Sequence, residues 1–163
     1  MKEFGVKRKN EERRDGGCAV VYCPESKKFA VGADHDGGIL RLFSGGVSDG
    51  EDIQTGILRE VEEESGLHEF KHVEVIGEAM CHYHNVLKNV NRVARATCLL
   101  VILESRSCKE VQLEEHETFS LDWVNRGALL NNWKDFNGEN DFDHWFYFFE
   151  IAEEKLVEKG YAL

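Results

Sequence analysis

The stretch Gly45–Leu67, GGVSDGEDIQTGILREVEEESGL, is the most informative part of this 163-residue chain. It places a glycine-containing loop ahead of a segment with helical periodicity. Apolar residues recur at Ile53, Ile57 and Val61, a spacing that puts them on one face of an α-helix. The pattern predicts a short helix that follows a loop and buries one of its faces.

The other face of the predicted helix carries Glu60, Glu63 and Glu64, because positions three and four apart are neighbours on a helix. Carboxylates this close repel one another and raise each other's pKa unless a cation lies among them. Hard divalent ions such as Mg²⁺ prefer carboxylate oxygens and keep waters for a substrate's phosphates. A solvated acidic face is the alternative. The fixed offsets of Arg59, the glycine loop and Gly66 favour a metal site.

These offsets resemble the signature of the Nudix hydrolases, the family that includes the MutT proteins. In that signature a glycine is followed after five residues by Glu and, seven residues later, by Arg-Glu-apolar-any-Glu-Glu-any-Gly-apolar. The nine defined positions are matched by Gly45, Glu51, Arg59, Glu60, Val61, Glu63, Glu64, Gly66 and Leu67. Such a match is far more specific than a lone glycine motif.

The resemblance implies a role for each matched polar residue. The three helical glutamates are expected to bind Mg²⁺ or Mn²⁺, with the backbone carbonyl around Ser44–Gly45 as a further ligand. Arg59 is expected to hold a motif carboxylate, and Glu51 to brace the loop against the helix. The resemblance thus assigns catalysis to Glu51, Arg59, Glu60 and Glu63, and metal binding to Glu60, Glu63 and Glu64.

Two further candidates lie outside the motif. Nudix hydrolases of dinucleoside polyphosphates tend to carry a base-stacking tyrosine at about the distance of Tyr83. ADP-ribose hydrolases tend to carry a proline there, whereas the chain's single proline is Pro24. A glutamate from a loop like that of Glu114, Glu115 and Glu117 often completes the metal site or acts as a base. We expect Glu115 in that role, with a solvated acidic loop as the alternative.

Charge and composition limit the class of protein. The net charge of −11 argues against stable nucleic-acid or anionic-membrane binding, although bound cations let an acidic enzyme take a nucleotide-type polyphosphate substrate. The five cysteines show no CxxC spacing, so neither a disulfide framework nor a zinc site is indicated. The N-terminus lacks a signal peptide's apolar region and no apolar run approaches a membrane span of about 20 residues, which predicts a cytoplasmic protein.

The length predicts one domain spanning residues 1–163. Basic residues cluster in its first fifteen positions, at Lys7, Arg8, Lys9, Arg13 and Arg14. A flexible, solvated arm is the expected structure of residues 1–15, and a contact with substrate or RNA is the alternative.

Hydrophobic patterning predicts strands on both sides of the motif helix. They are expected at Gly17–Cys23, Phe29–Ala33, Ile39–Phe43, Val73–Met80, Val93–Leu103 and Phe119–Val124. Helices are expected at Gly127–Asn131 and Asp141–Lys159. The aromatic stripe of the last helix is interpreted as core, with a base-stacking platform or a homodimer contact as alternatives. A mixed sheet between helices follows, and the resemblance implies the Nudix α/β/α sandwich with its loop–helix–loop motif.

The expected function is divalent-metal-dependent pyrophosphohydrolysis of a nucleoside diphosphate linked to another group, above all a nucleoside or dinucleoside polyphosphate. Two alternatives belong to other classes. One is a catalytically silent Nudix-fold module that binds or senses nucleotides, which the intact set of motif glutamates disfavours. The other is a structural metal-binding protein with a chance acidic helix, which the nine matched positions disfavour.

Overall fold

The computed structural model describes residues 1–34, 37–136 and 142–163. Within these ranges the chain forms eight strands and three helices. The strands are β1 (Lys2–Phe4), β2 (Glu12–Arg13), β3 (Gly16–Cys23), β4 (Lys28–Asp34), β5 (Phe43–Gly46), β6 (Phe70–Asn85), β7 (Val90–Leu103) and β8 (Phe119–Val124). The helices are α1 (Ile53–Ser65), α2 (Arg126–Asp135) and α3 (Asp143–Glu158).

The eight strands form one mixed sheet in the order β1-β6-β7-β3-β4-β8, with β2 paired to β7 and β5 paired to β3. The β1/β6, β2/β7 and β3/β7 pairs are parallel, and the other pairs are antiparallel. Strands β6 and β7 form a long hairpin that extends beyond the predicted Val73–Met80. The predicted α/β sandwich with a mixed sheet is confirmed.

Helices cover both faces of the sheet. On one face, Ile57 and Val61 of α1 are fully buried against β3 and β7. On the other face, Trp133 of α2 and Phe148 and Phe149 of α3 belong to a second buried cluster. The aromatic stripe of α3 is therefore core, as the patterning predicts.

The ends of α1 are fixed by capping residues. The Asp52 carboxylate accepts a hydrogen bond from the Thr55 amide at 3.1 Å, which satisfies one of the free N–H groups of the first turn. At the other end Gly66 adopts a left-handed conformation with φ of 81°, which favours glycine. These caps set which turn of the helix presents the motif glutamates to the loop.

The strand predicted at Ile39–Phe43 is wrong in its position. Strand β5 begins at Phe43 and runs into the glycine loop, while Arg41 forms only an isolated bridge with Gly32. The apolar residues Ile39 and Leu42 are buried in the α3-side core without belonging to a ladder. The hydrophobic pattern of this segment therefore reflects burial in the core and not pairing with a neighbouring strand.

The last two predicted helices are present with shifted ends. Helix α2 continues four residues beyond the predicted Gly127–Asn131. Helix α3 begins at Asp143, and the predicted first residue, Asp141, lies outside the described residues. No helix in the described ranges is long and apolar enough to cross a membrane.

The first fifteen residues are not the free arm that their charge predicts. Strand β1 pairs with β6 and β2 pairs with β7. Between these strands the buried His82 ring holds two carboxylates, with Nδ1 2.8 Å from Glu11 Oε2 and Nε2 3.1 Å from Glu3 Oε1. We call Glu3, Glu11 and His82 the N-terminal latch. Backbone pairing and this buried contact overcome the tendency of a charged segment to remain solvated.

Candidate active site

A cleft of about 920 Å³ opens on the α3 face of the sheet and reaches the motif carboxylates. Its lining includes Gly17 and Gly45 together with Glu60 and Glu117. Trp145 also lines the cleft. The cleft therefore joins the acidic helix face to an apolar and aromatic surface.

The glycine loop and helix α1 hold two motif glutamates in place. Glu64 is 5% exposed, and its Oε1 accepts a hydrogen bond from the Ser44 amide at 2.9 Å. The Glu60 carboxylate packs on the loop backbone, since a Cβ built on Gly45 would lie 2.6 Å from Glu60 Oε1. The close approach of the loop encloses both carboxylates.

Arg59 connects the loop to the helix through carboxylates. Its Nε and Nη2 donate to the two oxygens of Glu51 at 3.0 and 3.2 Å, a bidentate pair. Its Nη1 lies 3.1 Å from Glu60 Oε1 and 3.2 Å from Glu63 Oε2. The hydrogen bond from Arg59 lowers the pKa of Glu51. Glu51 thus braces the loop through Arg59.

The three helical glutamates do not converge as their spacing predicts. Glu63 and Glu60 share the Arg59 Nη1, while Glu64 accepts a hydrogen bond from the Ser44 amide. Across residues 1–34, 37–136 and 142–163 no three His, Cys, Asp or Glu side chains are gathered tightly enough to hold a metal ion. The Arg59 guanidinium, which binds Glu60 and Glu63, is the physical reason, so metal binding by these two glutamates together with Glu64 requires them to exchange Arg59 for the cation.

The loop before β8 adds Glu117 to the site. Burial raises the pKa of Glu64 to about 10, and a hydrogen bond with Glu117 contributes to the same shift. Burial also raises the pKa of Glu60, against the opposing influence of Arg59, while Glu63 and Glu117 add to the rise. We call Glu60, Glu64 and Glu117 the carboxylate cluster.

Glu117 takes the place in the site for which we expected Glu115. Glu115 is exposed, and it does not line the cleft. The irregular loop carries no periodicity from which the inward-facing glutamate can be chosen. The sequence therefore includes Glu117 among three candidate glutamates of this loop but does not single it out.

The carboxylate cluster offers carboxylate oxygens, the ligand type that Mg²⁺ and Mn²⁺ prefer. Among the described residues its side chains are not gathered tightly enough to hold a metal ion, so they would have to move closer together to bind one. The neighbouring carboxylates of Glu117 and Glu60 add to the raised pKa of Glu64, because like charges close together disfavour ionisation. A divalent cation at this position would offset that repulsion.

Tyr83 lies in the same cleft, at a distance along the sheet from the motif helix. It is half-buried and faces Arg92 across the β6–β7 pair. Arg14 also lines the cleft. Arg14 was included among the basic residues of the predicted arm, whereas Arg92 carried no signal because a lone arginine in a strand is ordinary.

Fold and site together define a class of protein, an α/β/α sandwich with a loop–helix carboxylate site beside a cleft. The family model described as NUDIX domain matches residues 13–152. The chain therefore belongs to the Nudix family of hydrolases, which act on phosphoanhydride bonds. Enzymes of this family generally require divalent metal ions.

Solved structures with the same fold include the NUDIX domain of Shewanella oneidensis NrtR complexed with ADP ribose, with 16% identity over 90% of each chain and a TM-score of 0.65. An ADP compounds hydrolase shares 13% identity over 93% of this chain and 77% of its own, with a TM-score of 0.62. The MutT protein of Bacillus halodurans shares 17% identity over 73% and 72% of the two chains, with a TM-score of 0.54. No curated protein matches the sequence significantly.

Proposed function

We propose that the protein is a Mg²⁺- or Mn²⁺-dependent pyrophosphohydrolase. Its substrate would be a nucleoside diphosphate linked to another group, above all a nucleoside or dinucleoside polyphosphate. The observation that carries this proposal is the buried Glu64 carboxyl group, which accepts a hydrogen bond from the Ser44 amide and whose pKa the neighbouring Glu60 and Glu117 help to raise. Carboxylates grouped in this way stabilise the fold poorly without a cation, whereas they are suited to binding one.

The ligands would come from the carboxylate cluster and the loop. Glu60, Glu64 and Glu117 would supply oxygens, together with the backbone carbonyl around Ser44–Gly45. Glu63 would join them once Arg59 releases it. When bound, the cation supplies positive charge beside the phosphate oxygens on which negative charge develops.

The chain's own residues would position the reactants and move the proton. Water would attack one phosphorus of the diphosphate, and the bond from that phosphorus to the bridging oxygen would break. A cluster carboxylate would accept the proton of the water, and the raised pKa of Glu60 favours Glu60 as that base. Glu51 and Arg59 would act as positioning residues, since they hold the loop and helix together.

A nucleotide-type substrate is supported by the cleft and by the structural neighbours. A volume of about 920 Å³ accommodates a nucleotide. One neighbour holds ADP ribose and another is called an ADP compounds hydrolase. Tyr83 lines this cleft and is proposed to contact the substrate. A reducing, cytoplasmic setting belongs to the same proposal and suits the five free cysteines.

A panel of nucleotides tests the proposal. The protein is incubated with nucleoside triphosphates, dinucleoside tetraphosphates and ADP-ribose, in Mg²⁺, in Mn²⁺ and in EDTA, and the products are identified by chromatography. We expect cleavage of a phosphoanhydride bond that depends on the divalent ion. Binding of these compounds without turnover would contradict the proposal and favour the catalytically silent module.

A further inference from the structure

Three side chains gather in the cleft on the α3 face, away from the motif helix. Tyr83 and Arg92 are direct partners in the antiparallel β6–β7 pair. Side chains of such a pair lie on one face of the sheet, with Cβ atoms roughly 4.5–5.5 Å apart. Both residues line the cleft, and so does Arg14.

Arg92 carries a buried charge that is only partly compensated. The residue is 9% exposed. Its Nη1 donates to Glu12 Oε2 at 3.0 Å, but the Glu12 side chain is 61% exposed to solvent. Its Nε is enclosed and has no hydrogen-bond partner among the described residues. A buried guanidinium in this state favours a further anion nearby.

Arg14 extends the positive charge toward the motif carboxylates. Its main-chain amide donates to Val93 O at 3.0 Å, which anchors it beside β7. Its guanidinium packs over the glycine loop, since a Cβ built on Gly46 would lie 2.5 Å from Arg14 Nε. In the described ranges no hydrogen bond or ion pair uses this guanidinium.

Arg14 and the carboxylate cluster come close together at two consecutive glycines. Gly46 contacts the Arg14 guanidinium, and Gly45 contacts the Glu60 carboxylate. Neighbouring Cα atoms are about 3.8 Å apart. A chain of phosphates that begins at the carboxylate cluster can therefore reach Arg14 within one or two further phosphate groups.

We propose that the Tyr83 hydroxyl, Arg92 and Arg14 form an anion subsite for a phosphate beyond the scissile diphosphate. The inference rests on the proposed function and narrows its substrate to compounds with at least three consecutive phosphates. In this arrangement Tyr83 binds the substrate through its hydroxyl group. Base stacking, which the family resemblance implies for Tyr83, would use only the face of its ring.

Titration calorimetry with inorganic tripolyphosphate in EDTA isolates this subsite, because without divalent ions only the protein's own cations attract the ligand. We expect Arg14→Ala to weaken binding about 10- to 100-fold and Tyr83→Phe about 3- to 10-fold. The matched control is Arg13→Ala. Arg13 lies next to Arg14 in sequence but pairs with Asp15 at the surface, so this variant should bind as wild type. Circular dichroism confirms that each variant is folded.

Steady-state kinetics supply the second measurement. Tyr83→Phe should raise KM for a dinucleoside tetraphosphate severalfold and leave KM for ADP-ribose, which has two phosphates, unchanged. Stacking predicts instead that Phe serves as well as Tyr for both substrates. Equal tripolyphosphate affinity in wild type, Arg14→Ala and Tyr83→Phe would overturn the subsite, as would undetectable binding to wild type at millimolar concentration.

The two proposals fail in different ways. Loss of tripolyphosphate binding in the variants, together with no hydrolysis of any nucleotide, would support the proposed subsite and contradict the proposed enzymatic activity. Metal-dependent hydrolysis with unchanged tripolyphosphate affinity in the variants would support the enzymatic activity and contradict the subsite.

Discussion

The carboxylate cluster and the N-terminal latch both bury ionisable side chains, but with opposite electrostatic results. In the cluster, burial and neighbouring carboxylates raise the pKa values of Glu60 and Glu64, so folding disfavours their charged forms. In the latch, hydrogen bonds to Glu11 and Glu3 raise the pKa of His82, so folding favours its charged form.

The difference lies in the partners that each group meets. The latch combines a cation with carboxylates and is complete within the chain. The cluster combines like charges, and Arg59 reaches only part of it. Carboxylates that the fold leaves without full compensation are suited to an external cation, which is the property expected of a functional site and not of a structural one.

The largest effect should come from Glu64→Gln. Glu64 is the most buried member of the cluster, and Gln keeps its shape while it removes a negative oxygen. We expect hydrolysis to fall by at least about 100-fold, more than the loss of a residue behind a metal ligand typically costs. The rate of phosphoanhydride cleavage in saturating Mg²⁺ measures this. Turnover at the wild-type rate would show that the cluster is not the metal site.

The second largest effect should distinguish Glu117 from Glu115, which lie in the same loop. Glu117→Gln should lower kcat/KM about 10- to 100-fold, because it removes a carboxylate that contacts Glu64. Glu115→Gln is the matched control and should remain within about twofold of wild type, since Glu115 is exposed outside the cleft. The reverse order of the two variants would restore Glu115 to the site.

The sequence predicts those parts of the fold that follow a fixed motif or a regular hydrophobic pattern. Nine fixed positions identify the motif, and the predicted strands Gly17–Cys23 and Phe119–Val124 agree with β3 and β8 to within one residue. Their regular hydrophobic patterns arise from burial against α1 or α3. A local hydrophobic pattern is sufficient to predict a strand where the buried residues and the strand have the same bounds.

The remaining features depend on contacts distant in sequence. The latch joins Glu3 and Glu11 to His82, across more than seventy positions, and no local pattern encodes that pairing. The choice of Glu117 over Glu115 depends on how an irregular loop approaches α1. The competition of Arg59 for Glu63 depends on side-chain rotamers, which helical spacing does not determine.

The latch should give a smaller, pH-dependent effect on stability. Because the folded-state pKa of His82 lies above its ordinary value of 6.5, the latch stabilises fully below pH 6.5 and weakens as pH rises through the folded pKa. The raised pKa of Glu64 makes stability fall with rising pH in the same direction, so the effect of the latch is measured in the Glu64→Gln variant. In that variant, the additional change His82→Gln should lower Tm by a few degrees at pH 6 and by less at pH 9. An equal loss at both pH values would contradict a charged latch.

Thermal melting of wild type and Glu64→Gln, in EDTA and in Mg²⁺ near pH 8, tests most directly whether the cluster exists to hold a cation. In EDTA the variant should melt higher, because it no longer buries an ionisable group whose pKa is about 10. At Mg²⁺ concentrations about 100 times Kd, binding stabilises wild type by about 2.7 kcal/mol, or roughly 5–10 °C, and should narrow the difference between wild type and variant. An equal rise in Tm of both proteins on adding Mg²⁺, or no rise in either, would contradict the account.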